Sequence, residues 1–392
     1  MQPHIPAVVV GGNLNALGVV RSLALCHIPT YAIVAGRDGP AAWSRHAITV
    51  RSADLHGDLL VKALLDLASD LKCRPVLLLT QDDTVETVSA ARHELDSAYH
   101  INFPDEHVVE MLSDKIAFDA MAAQAGFRTP RSCAIRSVID LEKIRELRPP
   151  LVIKPARKGS TLPAELRCAT RIETLEQARA FASELIIRAS GAIVQEWIEG
   201  ADSDIFFTFF CVRKDGSPAT FFSGRKLQSE PPGVGSTAIC IPAPDFAETL
   251  EREAIKFLEC ISYRGLGSLE FKRDARTEKF LLIEPTVGRT DWQEEIATLC
   301  GVNFPAVAYW LSLDHEPPLQ CHETGTQLRA WRSSREFQLP ESFRADTRVF
   351  DAYFRWNDPL PGVYFYAYEH GLRRILRRTW RELTTYFTGH RR

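Results

Sequence analysis

Residues 267–289 read GSLEFKRDARTEKFLLIEPTVGR. Their apolar content predicts two short strands, Ser268–Lys272 and Phe280–Ile283. Strand alternation puts Ser268, Glu270 and Lys272 on one face, and Glu284 ends the second run. Two acids at the ends of adjacent strands, facing the same way, repel unless a cation lies between them. Magnesium suits that role, because it takes oxygen ligands and shares them with nucleotide phosphates. Upstream, Ile205–Val212, Ala219–Ser223 and Thr237–Ile241 are further short strands, divided by turn residues such as Lys214-Asp215-Gly216-Ser217. They predict an antiparallel sheet, interrupted by one helix over about Phe246–Cys260.

The first hundred residues have a different texture. Strand signals at Ala7–Val10, Tyr31–Ala35, Ala47–Val50 and Val76–Thr80 alternate with helical periodicity at Leu14–Cys26, Asp58–Ser69 and Val85–Leu95. That alternation predicts a doubly wound parallel sheet. A smaller α+β region opens near Asp105. Ser113 is placed to cap a helix over about Asp114–Ala125, Leu151–Ile153 and Ala192–Gln195 read as strands, Gly159–Thr161 as a loop and Leu175–Arg188 as a helix.

At 392 residues the chain has room for two or three domains, and 45% hydrophobic residues supply their cores. A net charge of -3 argues against bulk binding to nucleic acid. No apolar run reaches the roughly 20 residues of a membrane helix, and the N-terminus lacks the layout of a signal peptide. Nine cysteines without a CxxC pair suit reduced thiols in a cytosolic protein better than a disulfide framework or a zinc site, with one isolated pair left open.

Several charged residues sit where an ordinary surface does not need them. Lys115 lies in the first turn of its helix, the end at which the dipole prefers acids. Lys154 closes the apolar strand PLVIKPA and is costly to bury without an anion. Each alone also reads as a solvated charge. Gln195, Glu196 and Ile198 end a strand whose backbone can face a purine edge, and the carboxylate of Asp202 can hold a ribose; an ordinary strand-to-loop boundary reads the same way. Arg225, Lys226 and Arg289 add fixed positive charge for phosphate or carboxylate. The turn Gly11-Gly12-Asn13 follows a strand and opens a helix. It departs from the dinucleotide fingerprint, since Asn13 takes the place of the second glycine and Gly18 falls at the wrong spacing. A tight turn and an anionic-substrate site both remain open for it. Asp82 and Asp83, just past Val76–Thr80, are placed to hold an amine or to cap a helix.

In this order the chain resembles the ATP-grasp superfamily. The stretches that carry the likeness are SDKIAFDAMAAQAGFRTP, LVIKPARKGS, VQEWIEGADSD, SGRKL with PPGVGS, and residues 267–289. TQDDTVETVSAARHEL followed by INFPDEHVVEMLSDK is similar to the carboxylate–amine ligase branch that includes D-aspartate-ligase-like proteins. The likeness spans roughly Ala7 to Leu313. It implies an α/β plus α+β architecture: a Rossmann-like domain over 1–104, ATP-grasp subdomains over 105–195 and 196–318, and a helical, basic extension over 319–392. By position it implies that Lys115 and Lys154 contact ATP phosphates, that Gln195, Glu196 and Ile198 face adenine, and that Asp202 holds ribose. Glu270, Glu284 and Thr286 would hold one or two magnesium ions, with manganese as a substitute. Thr286 stands where the family carries asparagine, which puts the second metal in doubt. Arg225, Lys226 and Arg289 would face the reacting groups, and Pro231–Ser236 resembles a flap.

The implied reaction activates a carboxylate as an acyl phosphate and joins it to an amine, with ADP and phosphate released. Small-molecule acid and amine substrates are then expected, with Gly11, Gly12, Asn13, Asp82 and Asp83 on the substrate side. A bicarbonate-using carboxylase and a non-catalytic nucleotide-binding scaffold are the alternatives. In the tail, Arg373, Arg374, Arg377, Arg378 and Arg381 interleave with Leu372, Ile375, Leu376 and Trp380. That pattern reads as a basic amphipathic helix, either packed on the body or touching an anionic membrane at its inner face. A homodimer is also expected.

Overall fold

Ile205–Val212 is the middle of the molecule. All eight residues are buried, which explains why the run, Thr208 apart, is apolar without alternation. In a computed structural model, which describes residues 5–36, 39–157, 162–318 and 327–372, this strand lies in a seven-stranded sheet. The order is Phe280–Val287, Gly265–Arg273, Ile205–Val212, Pro218–Glu230, Ser236–Pro242, Leu328–Arg332 and Thr347–Asp351. Every neighbour is antiparallel except the last pair. The helix Pro244–Ile261 buries Leu250, Ala254, Phe257 and Leu258 on one side of it.

The N-terminal strands form a separate four-stranded parallel sheet, ordered Ile48–Ser52, Thr30–Ala35, Ala7–Val10, Val76–Leu79. Its central strand is buried on both faces. Val8 and Val10 share a core with Leu60 and Leu64 of the helix Gly57–Leu71. Ala7 and Val9 share another with Leu17 and Leu23 of the helix Leu14–Ala24. A third, antiparallel sheet orders Ser132–Ile135, Ala192–Glu196, Leu151–Pro155 and Thr170–Ile172, backed by the helix Leu175–Ala189.

Four expectations change. The helix carrying Lys115 starts at Lys115 and is capped by Asp114, whose carboxylate accepts from the N–H of Ile116 and Ala117. Ser113 instead ends the preceding helix, Glu106–Ser113. Glu284 lies within its strand, which runs on to Val287. The region after 318 is not only helical and basic, because two of its segments are strands of the central sheet. A buried network fixes it further: Arg21 reaches Asp358 at 2.9 Å, while Glu295 takes Arg355 at 2.9 Å and the Trp331 indole N–H at 3.2 Å. Cys26 is disulfide-bonded, the pair that the sequence left open, and seven other cysteines are free. The loop Gly159–Thr161 and the arginines from Arg373 onward lie outside the described residues.

Candidate active site

Glu270 and Glu284 stand directly opposite each other on neighbouring strands. Like charges so placed destabilise a sheet unless each is compensated. Here each acid has its own lysine. Lys226 Nζ lies 2.8 Å from Glu270 Oε2, and Lys154 Nζ lies 3.4 Å from Glu284 Oε2. Lys154 comes from the small antiparallel sheet, so the second pair spans two sheets. Lys226 is only 5% exposed. Burial alone would lower its ammonium; Glu270, then Asp291 and Glu284, raise it above the ordinary lysine range. Thr286 lies two residues beyond Glu284, opposite Ser268.

These groups share a cavity of about 550 Å³. Lys115, Lys154, Gln195, Glu196 and Ile198 line it from the smaller antiparallel sheet and its helix. Lys226, Glu270, Glu284, Thr286 and Arg289 line it from the central sheet, and Asn13 and Asp82 from the parallel one. The Lys115 N–H donates to Ala156 O at 2.8 Å, which docks the start of its helix beside the strand bearing Lys154. Gln195 Nε2 donates to Asp119 at 3.3 Å, and Glu196 accepts the Arg148 N–H at 3.0 Å. Burial raises the Asp119 carboxyl, an effect partly offset by hydrogen bonds from Ser132 and Gln195.

Arg289 Nε meets Asp82 Oδ1 at 2.6 Å. Burial works against its charge, but Asp82 and Asp291 raise it further above the ordinary arginine range. Asn15 sets this corner. Its Nδ2 donates to Thr80 O at 3.0 Å and Thr290 O at 2.8 Å, and its Oδ1 accepts from Thr290 Oγ1 at 2.7 Å. Among the described residues no group of three or more His, Cys, Asp or Glu forms a metal site. Two carboxylates and a hydroxyl therefore fit a hard cation that shares its ligands with phosphate oxygens, not a cage made wholly of protein.

The chain is 23% identical over 319 residues to a D-aspartate ligase of Enterococcus faecium, a match that covers 76% of this chain and 74% of that protein. It is 25% identical over 217 residues to a D-alanine–D-alanine ligase of Acidiphilium cryptum, covering 51% of this chain and 66% of that one. The fold superposes on N5-carboxyaminoimidazole synthetase from Staphylococcus aureus complexed with ADP, with a TM-score of 0.62 at 14% identity, over 81% of this chain and 79% of that one. No family model matches. Both sequence relatives are ligases, in keeping with the resemblance to the ATP-grasp superfamily.

Not every expected residue reaches this cleft. Arg225 alternates with Lys226 along its strand, so it points elsewhere, and its guanidinium lies 5.7 Å over the Phe343 ring. Asp202 is engaged elsewhere, accepting the N–H of Ser229, near the end of the strand Pro218–Glu230, and that of Gly233, in the loop Pro231–Ser236, at 2.7 Å each. Gly11 and Gly12 form a packing turn. At Gly11, with φ +135°, a Cβ would sit 2.0 Å from Thr80 Oγ1, and the Gly12 carbonyl accepts the Ala41 N–H. Asn13 caps the helix that follows while lining the cleft. Asp83 does not line it; it shares the first turn of the helix Asp82–Ala90 with Asp82, and the cap position there belongs to Gln81.

Among the lining residues that the sequence reading did not assign to the site are Lys272, Asn15, Asp291 and Trp292. Lys272 was visible as a face-mate of Glu270, yet its Nζ donates to Gly200 O at 3.1 Å and Ala201 O at 2.7 Å, which props the turn that leads into Ile205–Val212. Burial lowers its ammonium, against the pull of Asp204 and Asp202. Asn15, Asp291 and Trp292 carry no local signal, because they matter only through where the chain folds back. Next to them Glu294 is fully enclosed, and burial pushes its carboxyl up to about 8.

Proposed function

We propose that the chain is an ATP-dependent ligase that converts a carboxylate into an acyl phosphate and joins it to an amine, releasing ADP and phosphate. The observation that carries this reading is the pair of opposed acids, Glu270 and Glu284, each held by a lysine inside one cleft. A carboxylate resists amines because its carbon is shielded by negative charge and hydroxide leaves poorly. Phosphorylation supplies a good leaving group, but two anions must first meet. Lys115 and Lys154 would grip the phosphates, while Lys226 and Arg289 would offset charge on the moving phosphoryl group and on the acid. Gln195, Glu196 and Ile198 would face the adenine. Glu270, Glu284 and Thr286 would hold magnesium, or manganese in its place. Held by these residues, the ion would supply neutralisation of phosphate charge. Asp82 and Asn13 would orient the substrates.

The division at residues 104, 195 and 318, a Rossmann-like reading of the parallel sheet, a homodimer, a place in the cytoplasm and peripheral membrane contact of the basic C-terminal stretch belong to the same proposal. No helix of the described residues is long and apolar enough to cross a membrane. Incubation with ATP, magnesium, hydroxylamine and a panel of acids tests the reaction. A hydroxamate formed with one acid, with matching ADP release, is expected. ADP release that depends on bicarbonate alone would favour a carboxylase, and ATP binding without turnover across the panel would favour a scaffold.

A further inference from the structure

Three segments bring large apolar side chains together on the surface. Trp43 stacks on Tyr364, with ring centroids 4.9 Å apart. Ile48 follows on the same segment, which Thr49 Oγ1 ties back to Ala42 O at 3.2 Å. The turn Leu360–Val363 packs on Pro40–Trp43. Phe354 lies against Gly362, and its ring meets that of Trp356 at 5.1 Å. Trp356 is 90% exposed, and Leu360 and Val363 are 53% exposed each. Single exposed apolar side chains need no explanation, but a contiguous group marks a docking face.

We propose that this face docks on the anionic surface of a lipid bilayer. The composition of the face and the charge of the chain that leaves it select that partner. Tryptophan is the side chain that settles at the headgroup level, with an apolar body and one polar N–H. Arg45 is exposed beside Trp43. The nearby carboxylate of Asp358 adds no repulsion, since it is 1% exposed and spent on Arg21, Ser44 and the Arg45 N–H. Shortly after the face, the sequence from 373 to 392 holds seven arginines and one acid, Glu382. Each basic residue near an anionic membrane contributes about fivefold to partitioning. Stable peripheral binding takes two signals, and here a basic stretch follows the apolar face in the sequence.

Sedimentation of the full chain with vesicles tests this, using phosphatidylcholine alone and phosphatidylcholine with about 30% phosphatidylglycerol. At least tenfold more protein is expected on the anionic vesicles, falling at high salt. The double variant Trp356→Ser/Leu360→Ser should weaken that binding roughly tenfold or more. Its rate of ADP release should not change, because neither residue lines the cleft. Equal recovery on both vesicle types, or on neither, overturns the proposal. So does a variant that binds like the parent. A concentration-dependent dimer abolished by the same substitutions would assign the face to a second copy of the chain. A blue shift of tryptophan fluorescence on adding anionic vesicles to the unaltered protein is expected as well and needs no variant; its absence counts against docking.

Discussion

Replacing Glu270 by Gln keeps the shape of the side chain and removes its charge. Lys226 then loses a partner 2.8 Å away while remaining 5% exposed. Breaking a buried ion pair by removing one member costs about 3–5 kcal/mol. Two features reduce that here: the Glu270 side chain is itself 25% exposed, and Asp291 and Glu284 still face the ammonium. A loss of about 2 kcal/mol is therefore expected. Removing both charges, in Lys226→Met/Glu270→Gln, leaves no orphan, so that protein should return to within about 1 kcal/mol of the parent. Turnover should not return with it. Both variants should lose at least about a hundredfold in ADP release, because the proposed metal ligand is gone in each. Urea unfolding followed by tryptophan fluorescence reads the stability, and a coupled ADP assay reads the rate. A double variant as unstable as the single one would refute the charge pairing. A single variant with normal turnover would refute the metal role.

Glu294 gives a pH dependence. Its carboxyl is raised from 4.5 to about 8, so the native state holds the proton more tightly than the unfolded chain. That stabilisation is complete below about pH 4.5 and is lost as the pH rises through about 8. Glu294→Gln should therefore be a few kcal/mol more stable than the parent at pH 8, with the two curves converging in acid; parallel curves would contradict the burial argument. Asp202→Ala should free the Ser229 and Gly233 amides and speed their hydrogen exchange. Slow exchange with weakened ATP binding would instead make Asp202 a ribose ligand and nothing more.

Legibility of the fold followed burial. Ile205–Val212 was bounded correctly because both of its faces are covered and its one strongly polar residue, Thr208, is small and paired with Ser223. Pro218–Glu230 read as ending at Ser223, since Gly224, Arg225 and Lys226 look like a turn with charges. The strand continues because Lys226 is buried against Glu270, with irregular register on either side of Gln228. The strands Leu328–Arg332 and Thr347–Asp351 were missed for a related reason: arginines break their apolar pattern, and only the sheet beside them explains the burial of Ala330 and Trp331. In the site, the acids and lysines stood out because such residues are costly near apolar runs. Which of Arg225 and Lys226 faces inward depended on strand phase, and the commitment of Asp202 to the flap depended on a loop whose path no local pattern records.

Because the last two strands are hydrogen-bonded onto Ser236–Pro242, the final part of the chain is not a detachable appendix. Cutting it away would bare a long, apolar β-edge with unpaired amides, a template for self-association. The Glu295 carboxylate would also lose its partners Arg355 and Trp331. Shortened forms ending near residue 318 should therefore clump, and chimeras with proteins of similar fold need this segment to travel with the sheet it completes.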